Sequence, residues 1–222
     1  MRVILRILIV IVLPLLVLTG CGEEYDWNQK LTVSVETPNG LVTSSSVSHV
    51  KLIDARGMPA DGRRVNSFVT GEAVVVPLGD GRYLFALLRG LPQLNWLVYQ
   101  GVDAAEAGKL LEDGNDAGAG AMTVPRDKHP LLATFDDIND PASVKPIDPT
   151  NLEATFGPGY RLKGITMALT REPVTKGKVE KVLGWLKRPN INQLDGSRFQ
   201  TTKSEKPFAN SLSVGSFTTS NN

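Results

Sequence analysis

The 222-residue sequence predicts an α+β fold, an antiparallel sheet of about five to seven strands with two or three helices packed on one face or end. Three observations carry this. Residues 31–36 and 160–170 alternate apolar and polar side chains with period two. Two apolar runs flank a Gly-rich turn near residue 80. Two further stretches carry apolar residues at helical spacing. Elements that are apolar on one face must bury it against another layer, and short connections between strands favour antiparallel pairing.

Residues 21–30 read as a polar tether containing Tyr25 and Trp27. Trp27 is read as packing on the domain edge in preference to sitting at a membrane interface. Leu31-Thr32-Val33-Ser34-Val35-Glu36 alternates without a slip, the signature of a half-buried strand, and Thr37-Pro38-Asn39-Gly40 follows as a turn. A second strand runs within Leu41 to Ile53. Its Ser44-Ser45-Ser46 triplet fills a core poorly, so this part is expected to face solvent or carry a bulge. Asp54 to Thr70 reads as a polar connection. Glu72 to Pro77, a loop at Leu78-Gly79-Asp80-Gly81 and Arg82 to Leu88 form a hairpin. Its arms are apolar at consecutive positions, which indicates burial on both faces.

A further strand is expected at Leu94 to Gln100. Asp103 is placed to cap a helix over Ala104 to Asp113 that buries Leu110 and Leu111. Residues 114–121, rich in Gly and Ala, read as a flexible loop. Leu131 to Phe135 reads as a strand and Asp136 to Pro149 as an acidic connection. Asp148-Pro149 then opens a short helix over Asn151 to Phe156, stopped by Gly157. In Tyr160 to Thr170, Ile165, Met167 and Leu169 share one strand face. Thr175 is placed to cap a helix with Val179, Val182, Leu183 and Leu186 on one stripe. Residues 31–186 therefore form the domain. Residues 187–222 turn rich in Ser, Thr and Asn and read as a tail, either mobile or folded back by Phe199, Phe208 and Phe217.

Residue types that carry chemistry are sparse. His49 and His129 are the two histidines, too few for a zinc site built from Cys and His. No Gly-x-Ser-x-Gly elbow surrounds any serine. Gly79-Asp80-Gly81 and Gly157-Pro158-Gly159 lack a following helix that could hold a phosphate, and read as a turn and a helix stop. Asp136-Asp137-Ile138-Asn139-Asp140 gathers oxygen ligands, but a calcium loop counted from Asp137 meets Pro141 at its fifth position. It reads as an acidic solvated loop. Trp96 and Tyr99 suit core packing better than a ligand groove. No catalytic, cofactor-binding or metal-binding residue is assigned, and the chain is read as non-enzymatic with no cofactor.

The amino terminus is more informative. Arg2 and Arg6 precede an apolar run, Ile7 to Leu18, broken only by Pro14. Twelve residues suit a secretory signal, whereas a spanning helix needs about 20. The run ends in Leu18-Thr19-Gly20-Cys21, which resembles the lipobox of bacterial lipoprotein precursors. The resemblance covers about twenty residues. It implies removal of residues 1–20 by cleavage between Gly20 and Cys21, and fatty-acyl lipid on Cys21 holding the chain to the periplasmic side of a membrane. Because Gly22, not Asp, follows the cysteine, the resemblance favours the outer over the inner membrane.

Cys21 is the single cysteine of the chain, so no disulfide can hold the fold. Removing residues 1–20 takes away Arg2 and Arg6 and no acid, so 22 basic side chains then face 23 acidic ones, a net charge of −1. That balance gives no field to steer nucleic acid, and no nucleic-acid partner is expected. The expected partners are the membrane, through the lipid on Cys21, and an unidentified envelope protein. The expected role is non-catalytic binding or structure. A small-molecule or lipid binder, its apolar hairpin lining a cavity, and an enzyme with an unrecognised site stand as alternatives.

Overall fold

The computed structural model describes residues 23–54, 65–91, 102–115, 120–188 and 192–219. It has the α+β class expected, built on two antiparallel sheets instead of one, with four α-helices among the described residues. The first sheet comprises β1 (Glu23–Thr37), β2 (Gly40–Asp54), β3 (Val65–Thr70), β6 (Met122–Thr123) and β9 (Arg161–Leu169), in the order β3-β2-β1-β9-β6. The second comprises β4 (Val74–Gly79), β5 (Arg82–Ala86), β7 (Leu132–Phe135) and β8 (Val144–Pro146), in that order. The helices are α1 (Ala104–Asn115), α2 (Glu153–Phe156), α3 (Lys178–Val182) and α4 (Pro207–Ser211).

The hairpin of β4 and β5 explains the layering. Asp80 and Gly81 form its two-residue turn with φ of 52° and 71°, the pair of positive angles that a type I′ turn requires and that Asp-Gly tolerates. Along both arms, alternate side chains go to opposite faces. Val74, Val76, Leu84 and Ala86 pack with Val33, Val50, Leu52, Ile165 and Met167 of the first sheet. Ala73, Phe85 and Leu87 face the other way, into a second core with Val179, Leu183, Trp185, Leu194, Leu212 and Phe217. The second sheet is thus the middle of three layers.

This second core takes in the C-terminal residues, in line with the folded-back alternative for residues 187–222. Residues 192–219 are packed on the second sheet because its outer face is apolar and must be covered. Phe217 is fully buried, Phe208 partly so, and Phe199 stays exposed. Backbone bonds fasten the segment: Ala73 N–H donates to Phe217 O at 2.8 Å, Leu88 N–H to Ser216 O at 2.9 Å and Thr219 N–H to Gly71 O at 3.0 Å. The folded unit therefore extends past residue 186.

The amino-terminal boundary moves as well. β1 begins at Glu23 and runs fifteen residues, so most of the expected tether is strand. Trp27 is 1% exposed, and its indole N–H donates to Gln29 Oε1 at 3.2 Å. Ser46 is buried where solvent or a bulge was expected. Its hydroxyl donates to Glu72 O at 2.7 Å, which offsets the cost of placing a hydroxyl inside.

Two strands fall in segments read as connections, β3 and β8. α1 starts as expected, the Asp103 carboxylate accepting from Ala105 N–H at 2.9 Å, but Leu110 is exposed and Leu111 alone of the pair is buried. Asp148 folds its own turn by accepting from Thr150 N–H at 2.8 Å, and α2 starts later, at Glu153. Thr175 does not cap α3. Its hydroxyl accepts from Val47 N–H, while the buried Glu72 carboxylate takes Lys178 N–H at 3.0 Å and Val179 N–H at 3.4 Å at the helix start. The strand expected at Leu94 to Gln100, with Trp96 and Tyr99, lies outside the described residues. So do most of the loop after α1 and residues 1–22, with Gly20 and Cys21.

Candidate functional site

The described chain starts two residues after Cys21, and the amino end of β1 is the part of the fold nearest to it. Glu23 is already paired with Asp54, the last residue of β2, and the ladder continues without a break to Thr37 and Gly40. On its other edge β1 pairs with β9 only from Gln29 onward. α1 closes the gap this leaves. Asp26 N–H, which would otherwise lack a strand partner, donates to Glu112 Oε1 at 3.4 Å. Gly108 lets the helix come close, since a Cβ there would lie 2.5 Å from the Tyr25 ring. The Tyr25 hydroxyl donates to Glu23 Oε2 at 2.7 Å. That bond pushes the phenol up to about 12, helped by desolvation and by the charges of Glu23, Asp54 and Glu112. Among the described residues, the acids Glu23, Asp54 and Glu112 thus gather around Tyr25 at this end.

The two histidines are kept apart. His49 lies on β2, facing outward, with Nδ1 3.0 Å from Asn28 Oδ1 on the paired position of β1. His129 follows β6 at the far edge of the first sheet, its Nε2 3.2 Å from Val124 O. Burial lowers the His129 pKa, opposed by that carbonyl. With Nε2 donating to the carbonyl, Nδ1 is left as a bare acceptor with no partner and almost no accessible surface.

A cavity of about 140 Å³ adjoins His129, lined among others by Thr123, Arg126, Thr150 and Lys163. No carboxylate lines it, so His129 has no acid partner there of the kind a proton-transfer dyad needs. Lys163 itself is engaged with Glu36 at 3.0 Å.

The acidic loop spends its carboxylates on its own backbone. Asp137 Oδ1 accepts from Asn139 N–H and Asp140 Oδ1 from Ala142 N–H, both at 2.9 Å, and Asp136 pairs with Lys145 at 2.5 Å. Among the described residues no group of three or more His, Cys, Asp or Glu side chains is placed to hold a metal ion. The apolar hairpin is packed on both faces, with Val76, Leu84 and Phe85 fully buried, and so lines two cores. No helix among the described residues is long and apolar enough to cross a membrane. No protein-family model matches this chain, and searches of curated proteins and of solved structures find no match either.

Proposed function

We propose that this chain is a lipid-anchored envelope lipoprotein that acts without catalysis, by binding or positioning another component of the envelope. The observation that carries the reading is Leu18-Thr19-Gly20-Cys21 at the end of a basic-then-apolar leader, with the chain's single cysteine at the acceptor position. Each buried methylene of an attached lipid contributes about 0.8 kcal/mol to membrane binding, and two long chains suffice for stable anchoring. β1 is already formed at Glu23, two residues after Cys21, so the folded domain lies close to the proposed anchor in sequence. Membrane attachment on the periplasmic side, with the outer membrane favoured by Gly22, belongs to the same reading.

Metabolic labelling with an alkyne fatty acid tests it. The wild-type chain should incorporate label. Cys21→Ser should lose it and accumulate as uncleaved precursor, because serine offers no thiol for lipid transfer. Undiminished labelling of the variant would refute the anchor. Crosslinking in intact cells then identifies the envelope component held by the anchored chain.

A further inference from the structure

We infer that the domain stands end-on against the bilayer with no free tether, its bilayer-facing end including, among the described residues, the amino end of β1, the carboxyl end of β2 and α1. The inference rests on the lipid-anchored reading and adds the geometry of that anchor. One residue, Gly22, separates Cys21 from Glu23. At 3.8 Å between consecutive Cα atoms, the lipidated residue lies within about 7 Å of the first strand position.

Glu23 offers no slack of its own, since it is paired with Asp54 at the end of an unbroken fifteen-residue ladder. The free edge of β1 beside it is closed by α1 through Glu112 and the Tyr25–Gly108 contact. The pivot is therefore short and sits at one end of the longest axis of the first sheet. At about 3.3 Å per residue β1 is about 45 Å long, so the turn at Pro38 and Asn39 is carried far from the headgroups.

Charge on the flank supports the upright pose over a flat one. The outward face of the first sheet is mostly polar, with Leu41 exposed toward the distal turn and Phe68 toward the proximal end. Its lysines are already paired: Lys30 with Glu172 at 2.7 Å and Lys51 with Glu24 at 2.6 Å. No unpaired basic stripe along these strands pulls the sheet down onto anionic lipid. Among the described residues, the amino end of β1 and the carboxyl end of β2 carry the acids Glu23, Glu24 and Asp54, and the covalent anchor holds this end at the headgroups.

The chain's single cysteine is consumed by the lipid in this reading, so one added cysteine is a unique labelling site. Glu24→Cys and Lys109→Cys place a donor dye on exposed positions of the proximal end, and Asn39→Cys on the exposed distal turn. The full lipidated chain is reconstituted into phosphatidylcholine vesicles containing a headgroup-labelled acceptor lipid, and energy transfer is read at each site. Transfer should be at least about threefold more efficient at the two proximal sites than at Asn39, given a height difference of about 45 Å.

A flexible ten-residue Gly/Ser insertion after Gly22, spanning about 16–19 Å as a coil, should lower proximal transfer and shrink the gradient. Equal transfer at both ends of the lipidated, vesicle-bound native chain would overturn the end-on pose and leave the anchor intact. A gradient unchanged by the insertion would overturn the tether-limited geometry. A chain that carries no lipid and does not float with the vesicles would overturn the anchor itself.

Discussion

Glu72 ties three parts of the chain together at a single buried position. Its carboxylate accepts the first N–H groups of α3, its carbonyl accepts from Ser46, and it bridges to Thr218 near the carboxyl end. The helix is capped from about a hundred residues away, which no local pattern around Thr175 reveals. Replacing Glu72 with Ala strands two N–H groups of α3 and should cost about 1–3 kcal/mol in a denaturant melt. A change within error would mean that water caps α3 equally well.

Asp195 plays a comparable part within the C-terminal segment. Burial pushes its carboxyl up, but hydrogen bonds from Ser204, Ser197 and Asn210 outweigh this and hold it below the usual carboxylate range. A depressed folded value means the contribution is complete above the unfolded pKa and is lost as pH falls through the folded one. Asp195→Asn should therefore destabilise by about 1 kcal/mol at neutral pH, where the carboxylate is ionised. That deficit should stay constant down to about pH 4 and shrink below it. A deficit independent of pH would contradict the assignment.

At the scale of elements, the two-faced hairpin was legible because alternation predicts it directly. Consecutive apolar residues in a strand mean that both faces are covered. The two faces are not equally demanding. Phe85 is fully buried, against Phe135 at 5.5 Å and Phe217 at 5.9 Å in edge-to-face contacts, whereas Val75 is only partly buried. Phe85→Ala should cost about 3–5 kcal/mol through lost burial and the cavity left behind. Val75→Ala should cost less than half as much. Equal losses in parallel melts would mean the outer layer is as tightly packed over Val75 as over Phe85.

The amino end and the C-terminal segment were harder to read, each for a physical reason. Tyr25, Trp27, Gln29 and Leu31 do recur with period two, but the polar residues between them, Asp26, Asn28 and Lys30, resemble a tether. The Ser, Thr and Asn content after residue 187 resembles disorder because it carries too few apolar groups for a core of its own. It lends those few, Leu194, Leu212 and Phe217, to a sheet face that needed covering. Its polar groups bond one another around Asp195 and Asn210, whose side-chain Oδ1 takes Thr201 N–H. One signal did point there: a hairpin apolar on both faces requires two covering layers, and α3 alone is too short to supply the second.

For the whole molecule, class and layering follow from burial, while the proposed function rests on the sequence pattern that ends at Cys21. No carboxylate lines the cavity beside His129, and the proposed function rests on Cys21 and the leader that precedes it. The most direct measurement is the intact mass of the protein extracted from membranes, with sequencing of its amino-terminal peptide. The account predicts a chain that starts at Cys21 and carries the added mass of fatty-acyl lipid on that residue. An unmodified cysteine, or a chain that keeps residues 1–20, would contradict it.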